Sequence, residues 1–195
     1  VPTGEPELQR LLDVEAIRDV VRRYCRGIDR VDLDLVRDCY HPDATDTHGS
    51  FSGTVDEFLV WVERLLGRYD ATFHLIGNHL VELVDTADGA PPTIARSEAY
   101  GVAHHRSEDP DPKRNLTVGF RFLDRFERRD GGWRIARRVA TTEWVTALAP
   151  EQRWPMPESG ALGLRGHDDP LYDLVPELAA ETTDRAAAPR TETLP

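Results

Sequence analysis

The sequence predicts an α+β fold, with N-terminal helices packed on a strongly curved, mostly antiparallel sheet that encloses a pocket. Three observations lead there. Apolar residues in the first third of the chain recur at helical spacing. From residue 71 the period changes to two and holds over four long segments. Those segments carry large side chains on both faces, which suits a curved sheet whose concave side is covered by the helices. Such a cone can enclose an apolar pocket for a small ligand.

The elements follow in order. Residues 1–6 are polar and loose, and a helix is expected over 7–28, with Ile17, Val20, Val21, Tyr24, Cys25 and Ile28 on one face. Asp32 suits the N-cap of a short second helix over 33–40. HPDAT breaks the pattern, and an extended piece follows at 44–48. Thr54 and Glu57 form a capping box opening a third helix, with Phe58, Trp61, Val62, Leu65 and Leu66 on its apolar face. Strands are expected over 72–85, 93–106, 115–128 and 132–146, the last two joined by the hairpin signal RRDGG. Residues 7–149 then form one domain. The Pro/Gly/Ala-rich segment 150–175 is expected to wrap the domain or reach a neighbouring subunit as an arm, and 176–195 to be a disordered tail.

Composition narrows the function classes. The formal net charge of −11, with almost no Lys, argues against nucleic acid as a partner, because phosphate neutralisation needs clustered cations. No run approaches the roughly 20 apolar residues of a membrane span, and no leader-like stretch opens the chain, so a soluble cytoplasmic protein is expected. Cys25 and Cys39 sit in apolar helical patterns and suit buried free thiols. The histidines give no metal-ligand spacing: His74 and His79, or His104 and His105, point to opposite faces of a regular strand. Neither a phosphate-binding loop nor a nucleophile elbow occurs.

Three residues stand out. Asp29 falls four residues after Cys25, on the core-facing stripe near a helix C-terminus, where both burial and the helix dipole disfavour a negative charge. Either the helix stops at Gly27 and Asp29 is a solvated turn or cap residue, or a partner compensates it. His74 lies on a strand, sharing a face with Ile76, Asn78 and Leu80 if the alternation is regular. It is a satisfied structural histidine unless a carboxylate reaches it, in which case its free nitrogen becomes a stronger base. Arg138 shares its expected face with Ala136, Ala140, Thr142 and Trp144. It is either an exposed strand residue or a pocket cation able to stabilise a developing anion. Tyr24, one turn before Ile28, either donates its hydroxyl to a substrate oxygen or fills the core.

The segments EAIRDVVRRYCRGIDRVDLDLVRDCYHPDAT, GSFSGTVDEFLVWV, FHLIGNHLVEL and FLDRFERRDGGWRIARRVATTEWVTALA, in this order, resemble the SnoaL-like branch of the nuclear transport factor 2-like superfamily over about residues 8–150. Within it the chain is most similar to the group containing scytalone dehydratase, hexachlorocyclohexane dehydrochlorinase and bile acid 7-alpha-dehydratase. The resemblance implies a cone-shaped α+β barrel and an Asp–His pair working without metal or organic cofactor. It also implies a small hydrophobic substrate and a homodimer or homotrimer. GIDR matches the family's catalytic Asp segment at Asp29, HLIGN its His at His74, and the final strand its pocket Arg at Arg138. Tyr24 stands where the dehydrochlorinase has a Lys, which suits an oxygen-bearing substrate better than a departing chloride.

Two functions are therefore weighed. One is a cofactor-independent lyase of dehydratase type, or a related isomerase or cyclase, with His74, Asp29, Arg138 and Tyr24 as catalytic residues. Asn78, Trp61, Trp144, Tyr40 and Phe120 are its expected substrate-binding residues. The other is a non-catalytic ligand-binding protein or structural subunit, such as a dioxygenase small subunit, in which the pair only satisfies itself.

Overall fold

The computed structural model describes residues 4–175 except 88, 112–113, 154 and 157–158, with no account of the side chains of Glu5 and Pro150. The expected tail at 176–195 lies outside the described residues. Helix α1 spans Glu5–Arg30 and α2 spans Leu33–Asp38; strands β1 (Tyr40–His48) and β2 (Phe51–Thr54) precede α3 (Val55–Leu66). Then come β3 (Ala71–Leu83), β4 (Ile94–Arg106), β5 (Leu116–Arg129) and β6 (Gly132–Ala147). Six strands form one open sheet in the order β2-β1-β6-β5-β4-β3, antiparallel throughout except for the parallel β1–β6 pair.

Local chemistry explains the boundaries. α1 runs three residues past Gly27 and ends at Val31, whose φ of 57° places it in the left-handed region. Gly27 does not stop the helix; it lets α2 approach. A Cβ there would lie 2.7 Å from Val36 Cγ2 and 3.0 Å from the Asp32 carbonyl oxygen. Asp32 caps α2 by accepting the Leu35 N–H at 3.0 Å, and Thr54 with Glu57 forms the capping box of α3. α2 is shorter and β1 longer than expected, because Tyr40 already pairs with Ile135 and the Cys39 carbonyl accepts the Ile135 N–H. Asp130 and Gly131, at φ 50° and 81°, make the two-residue turn joining β5 to β6.

The apolar stripe of α1 is sealed against the concave face of the sheet, with Ile17, Val21 and Tyr24 packed with Phe122, Phe126 and Ile135 in one core. Irregularities in β3 and β6 bend the sheet and change which residues face it. In β3, Ile76 pairs with Gly101 but His79 pairs with Ala99, so one residue is extra at Gly77–Asn78. In β6, single extra residues fall between Ile135 and Arg137 and between Thr142 and Trp144. A bulge of this kind bends a strand and shifts its alternation by one. His79 therefore shares the concave face with His74, whereas Asn78 and Leu80 turn to the outer face. Trp144 is likewise moved outward, and Arg138 lies on one face with Ile135 rather than Arg134.

Cys25 and Cys39 are buried free thiols. No helix among the described residues is long and apolar enough to cross a membrane. After β6, the segment through residue 175 follows the domain surface. Arg153 donates to the Ser107 and Asp109 carbonyls, and Arg165 to the Leu66 carbonyl at the end of α3. Buried Asp169 pairs with Arg30 at 3.2 Å.

Candidate active site

The last turn of α1 brings Asp29 against β3. One carboxylate oxygen meets His74 Nδ1 at 2.6 Å, and the other accepts the His74 backbone N–H at 2.9 Å. The carboxylate thus grips one residue at two points, which orients the side chain of His74 relative to its own strand. The hydrogen bonds also offset the unfavourable position of an anion at a helix C-terminus. With the Nδ1 proton committed to Asp29, Nε2 carries the lone pair of the neutral ring. Among the described residues, Nε2 has no hydrogen-bond partner. The side chains of His74 and Asp29 are 9% and 13% exposed, so the pair is shielded yet reachable.

The ring of His74 stands edge-on to Phe120 at 5.9 Å and to His105 at 6.1 Å between centroids. Burial, and then the adjacent His74, push the His105 imidazole down to about 4, so it is neutral near pH 7. Its Nδ1 is buried without a partner. His79, one bulge further along β3, is also pushed down to about 4, by burial and then by Arg18 and Arg138. Cys25 lines the same region, but burial pushes its thiol up to about 12 and keeps it protonated. No group of three or more His, Cys, Asp or Glu residues converges as a metal site among the described residues.

A cleft of about 570 Å³ opens beside the pair, between α1 and the edge strand β3. Val21, Cys25, Phe73 and Ile76 give it apolar surface, and Asp29 with His74 lies at one end of its α1 wall.

The remaining expected site residues are placed differently. Arg138 is not an open pocket cation. Its side chain is 0% exposed and makes a two-point pair with Asp124, Nε to Oδ1 at 2.7 Å and Nη2 to Oδ2 at 2.6 Å. Its guanidinium lies over the rings of Tyr24 at 4.2 Å and Phe122 at 3.9 Å. Burial works against its charge, but the Asp124 carboxylate outweighs it and holds Arg138 firmly protonated. Tyr24 is 1% exposed, and burial raises its hydroxyl well above the ordinary value; it fills the core. Tyr40 is also buried and donates its hydroxyl to Asp46 at 2.6 Å. Trp61 groups with Phe51, Phe58 and His48 beside β1. Asn78 and Trp144 line a separate outer-face depression with Leu75 and Tyr100, and the Trp144 ring lies over Gly119. Of the nine residues, Asp29, His74 and Phe120 come together.

The match to the SnoaL-like domain family covers residues 9–139. The chain belongs to that family. Solved structures agree in fold. A hexachlorocyclohexane dehydrochlorinase, LinA type 2, is 20% identical with a TM-score of 0.65, the match covering 76% of this chain and 97% of that one. A scytalone dehydratase candidate from Novosphingobium aromaticivorans is 19% identical with a TM-score of 0.63, covering 78% and 98%. LinA-type3 from Novosphingobium barchaimii is 19% identical with a TM-score of 0.65, covering 77% and 99%. No curated protein matches the chain significantly.

Sequence reasoning missed three features of this SnoaL-like site. His105 was hidden because adjacent histidines alternate faces, and only the sheet register brings one of them to His74. Asp124 carries a signal in retrospect, being the acid directly across the β5–β6 hairpin from Arg138. The third is a row of arginines on α1, Arg18, Arg22, Arg26 and Arg30, spaced by four and lining the cleft.

Proposed function

We propose that the protein is a lyase of dehydratase type that acts on a small oxygenated substrate with Asp29 and His74 as its acid–base pair. The observation that carries this is the two-point grip of Asp29 on His74, which leaves Nε2 free beside an open cleft. Nε2 removes a proton from a carbon next to a carbonyl, and the released electron pair forms the new double bond as the β C–O bond breaks. The resulting imidazolium, stabilised by Asp29, returns its proton to the departing hydroxide, which leaves as water. Return of the proton to a different carbon turns the same device into an isomerase. Such acid–base catalysis typically contributes about 10²–10⁴-fold in rate.

The roles first expected of Arg138 and Tyr24 pass to other groups in this reading. The buried pair with Asp124 holds the strands beneath the site, and neutral His105 stands edge-on to the His74 ring. Phe120 packs edge-on against the His74 ring and helps fix its position, while also lining the outer depression with Asn78 and Trp144. A purely structural subunit calls for a filled cavity at this position, and the cleft of about 570 Å³ speaks against that alternative.

The test is turnover of a panel of β-hydroxy carbonyl compounds, followed by loss of water. His74→Ala and Asp29→Asn are expected to abolish a wild-type activity while circular dichroism and unfolding stay near wild type. A folded His74→Ala protein that keeps the wild-type rate would contradict the mechanism.

A further inference from the structure

The cleft beside Asp29 and His74 has a charge opposite to that of the whole chain. The formal net charge is −11, yet four arginines line this one groove, and Asp29, already engaged by His74, is its one lining carboxylate among the described residues. Spacing by four places Arg18, Arg22, Arg26 and Arg30 along one face of α1, next to the core stripe. Their availability differs. Arg18 donates to the His79 carbonyl and lies near Glu15, Arg22 is paired with Glu15, and Arg30 is paired with Asp169. Arg26 is exposed and makes no hydrogen bond or ion pair among the described residues. A helix rise of about 1.5 Å per residue puts Arg26 roughly 5 Å, and Arg22 roughly 10 Å, along the axis from Asp29. Across the cleft, Ile76 and Phe73 offer apolar contact.

We propose that this arginine row is a substrate subsite for an anionic group, a carboxylate or phosphate, carried some 5–10 Å from the carbon that meets His74. The proposal rests on the acid–base reading of Asp29 and His74 for the reacting end, while binding of the anion depends on the arginines alone. An arginine guanidinium binds either anion through paired N–H donors. The apolar body of the ligand would lie against Ile76 and Phe73, with its charge at Arg26 and Arg22. The substrate class sharpens accordingly, from a small oxygenated compound to an amphipathic acid.

The experiment is a binding titration of the full chain with cyclohexanecarboxylate, cyclohexyl phosphate and the neutral cyclohexanecarboxamide, read by the imidazole and arginine NMR signals. At least one anion is expected to bind about ten-fold or more tighter than the amide, and added salt to weaken that preference. The double variant Arg22→Gln with Arg26→Gln, on an exposed helix face that should still fold, is expected to erase it. The two anions rank carboxylate against phosphate. Equal binding of all three probes, or a preference that survives the double variant, would overturn the subsite. His74→Ala separates the two claims: anion preference should persist in that variant. Lost turnover in that variant with retained preference therefore supports both; lost turnover with no anion preference in either protein sinks only the subsite, and intact turnover with retained preference sinks only the acid–base reading.

Discussion

Two acid–base pairs sit on the same sheet and differ in what they leave unused. Asp124 and Arg138 are both 0% exposed and occupy each other at two points, with aromatic rings over the guanidinium. Asp29 and His74 keep some exposure, and the imidazole retains a nitrogen with no partner. The first pair is sealed and serves the architecture. The second is anchored on one side and open on the other, as a proton-transfer group must be. Hydrogen-bond count alone does not separate them, and among the described residues Arg138 Nη1 also lacks a partner; but Nη1 is a buried donor with no lone pair to give, whereas His74 Nε2 offers its lone pair beside a cleft.

The largest expected effect breaks the sealed pair. Asp124→Ala leaves the Arg138 charge buried without its carboxylate, which typically costs about 3–5 kcal/mol and shows as a large drop in the urea midpoint. The same carboxylate removed at the open pair should act on rate instead. Asp29→Asn is expected to lower turnover by about 10²-fold or more with only a small change in that midpoint. If Asp29→Asn unfolds the protein as Asp124→Ala does, the distinction between the pairs fails.

A smaller effect comes from replacing both members of the sealed pair. Arg138→Met with Asp124→Leu should recover most of the stability lost in Asp124→Ala, because apolar groups of similar volume remove both desolvation costs. Equilibrium unfolding of the double variant checks this.

The smallest expected effect is on pH dependence. Burial holds His105 near 4 in the folded protein, below its ordinary 6.5. Below about pH 6.5 the unfolded chain therefore binds the proton first. Stability contributed by neutral His105 is fully present above that pH and is lost progressively as pH falls toward 4. His105→Gln should make this acid-side decline shallower in unfolding curves taken between pH 7 and 4.

Most of the fold was legible because its signals are periodic. The four long strands begin and end within two residues of their expected limits, and Asp32 and Thr54 cap the helices they were expected to cap. The pairing of Asp29 with His74 was legible through the resemblance of GIDR and HLIGN to the family's segments; the core-facing stripe alone left a solvated cap open. What escaped were the faces beyond each bulge. One extra residue at Gly77–Asn78 sends Asn78 outward and His79 inward, and the extra residue before Trp144 does the same there. Nothing in strict alternation marks such an insertion. Gly27 misled for a related reason: a glycine that admits a neighbouring helix looks the same in sequence as one that ends its own. The arginine row was visible at a spacing of four, but interleaved acids such as Asp19 masked it until α1 and β3 were seen to share a cleft.

The central claim is that Asp29 fixes His74 with its proton on Nδ1 and its lone pair on Nε2. A long-range proton–nitrogen correlation spectrum of the imidazole tests it directly, with no substrate required. Wild type is expected to show His74 as the Nδ1–H tautomer near neutral pH, and Asp29→Asn to lose that preference. A wild-type His74 found as the Nε2–H tautomer, or one unchanged in Asp29→Asn, would contradict the account.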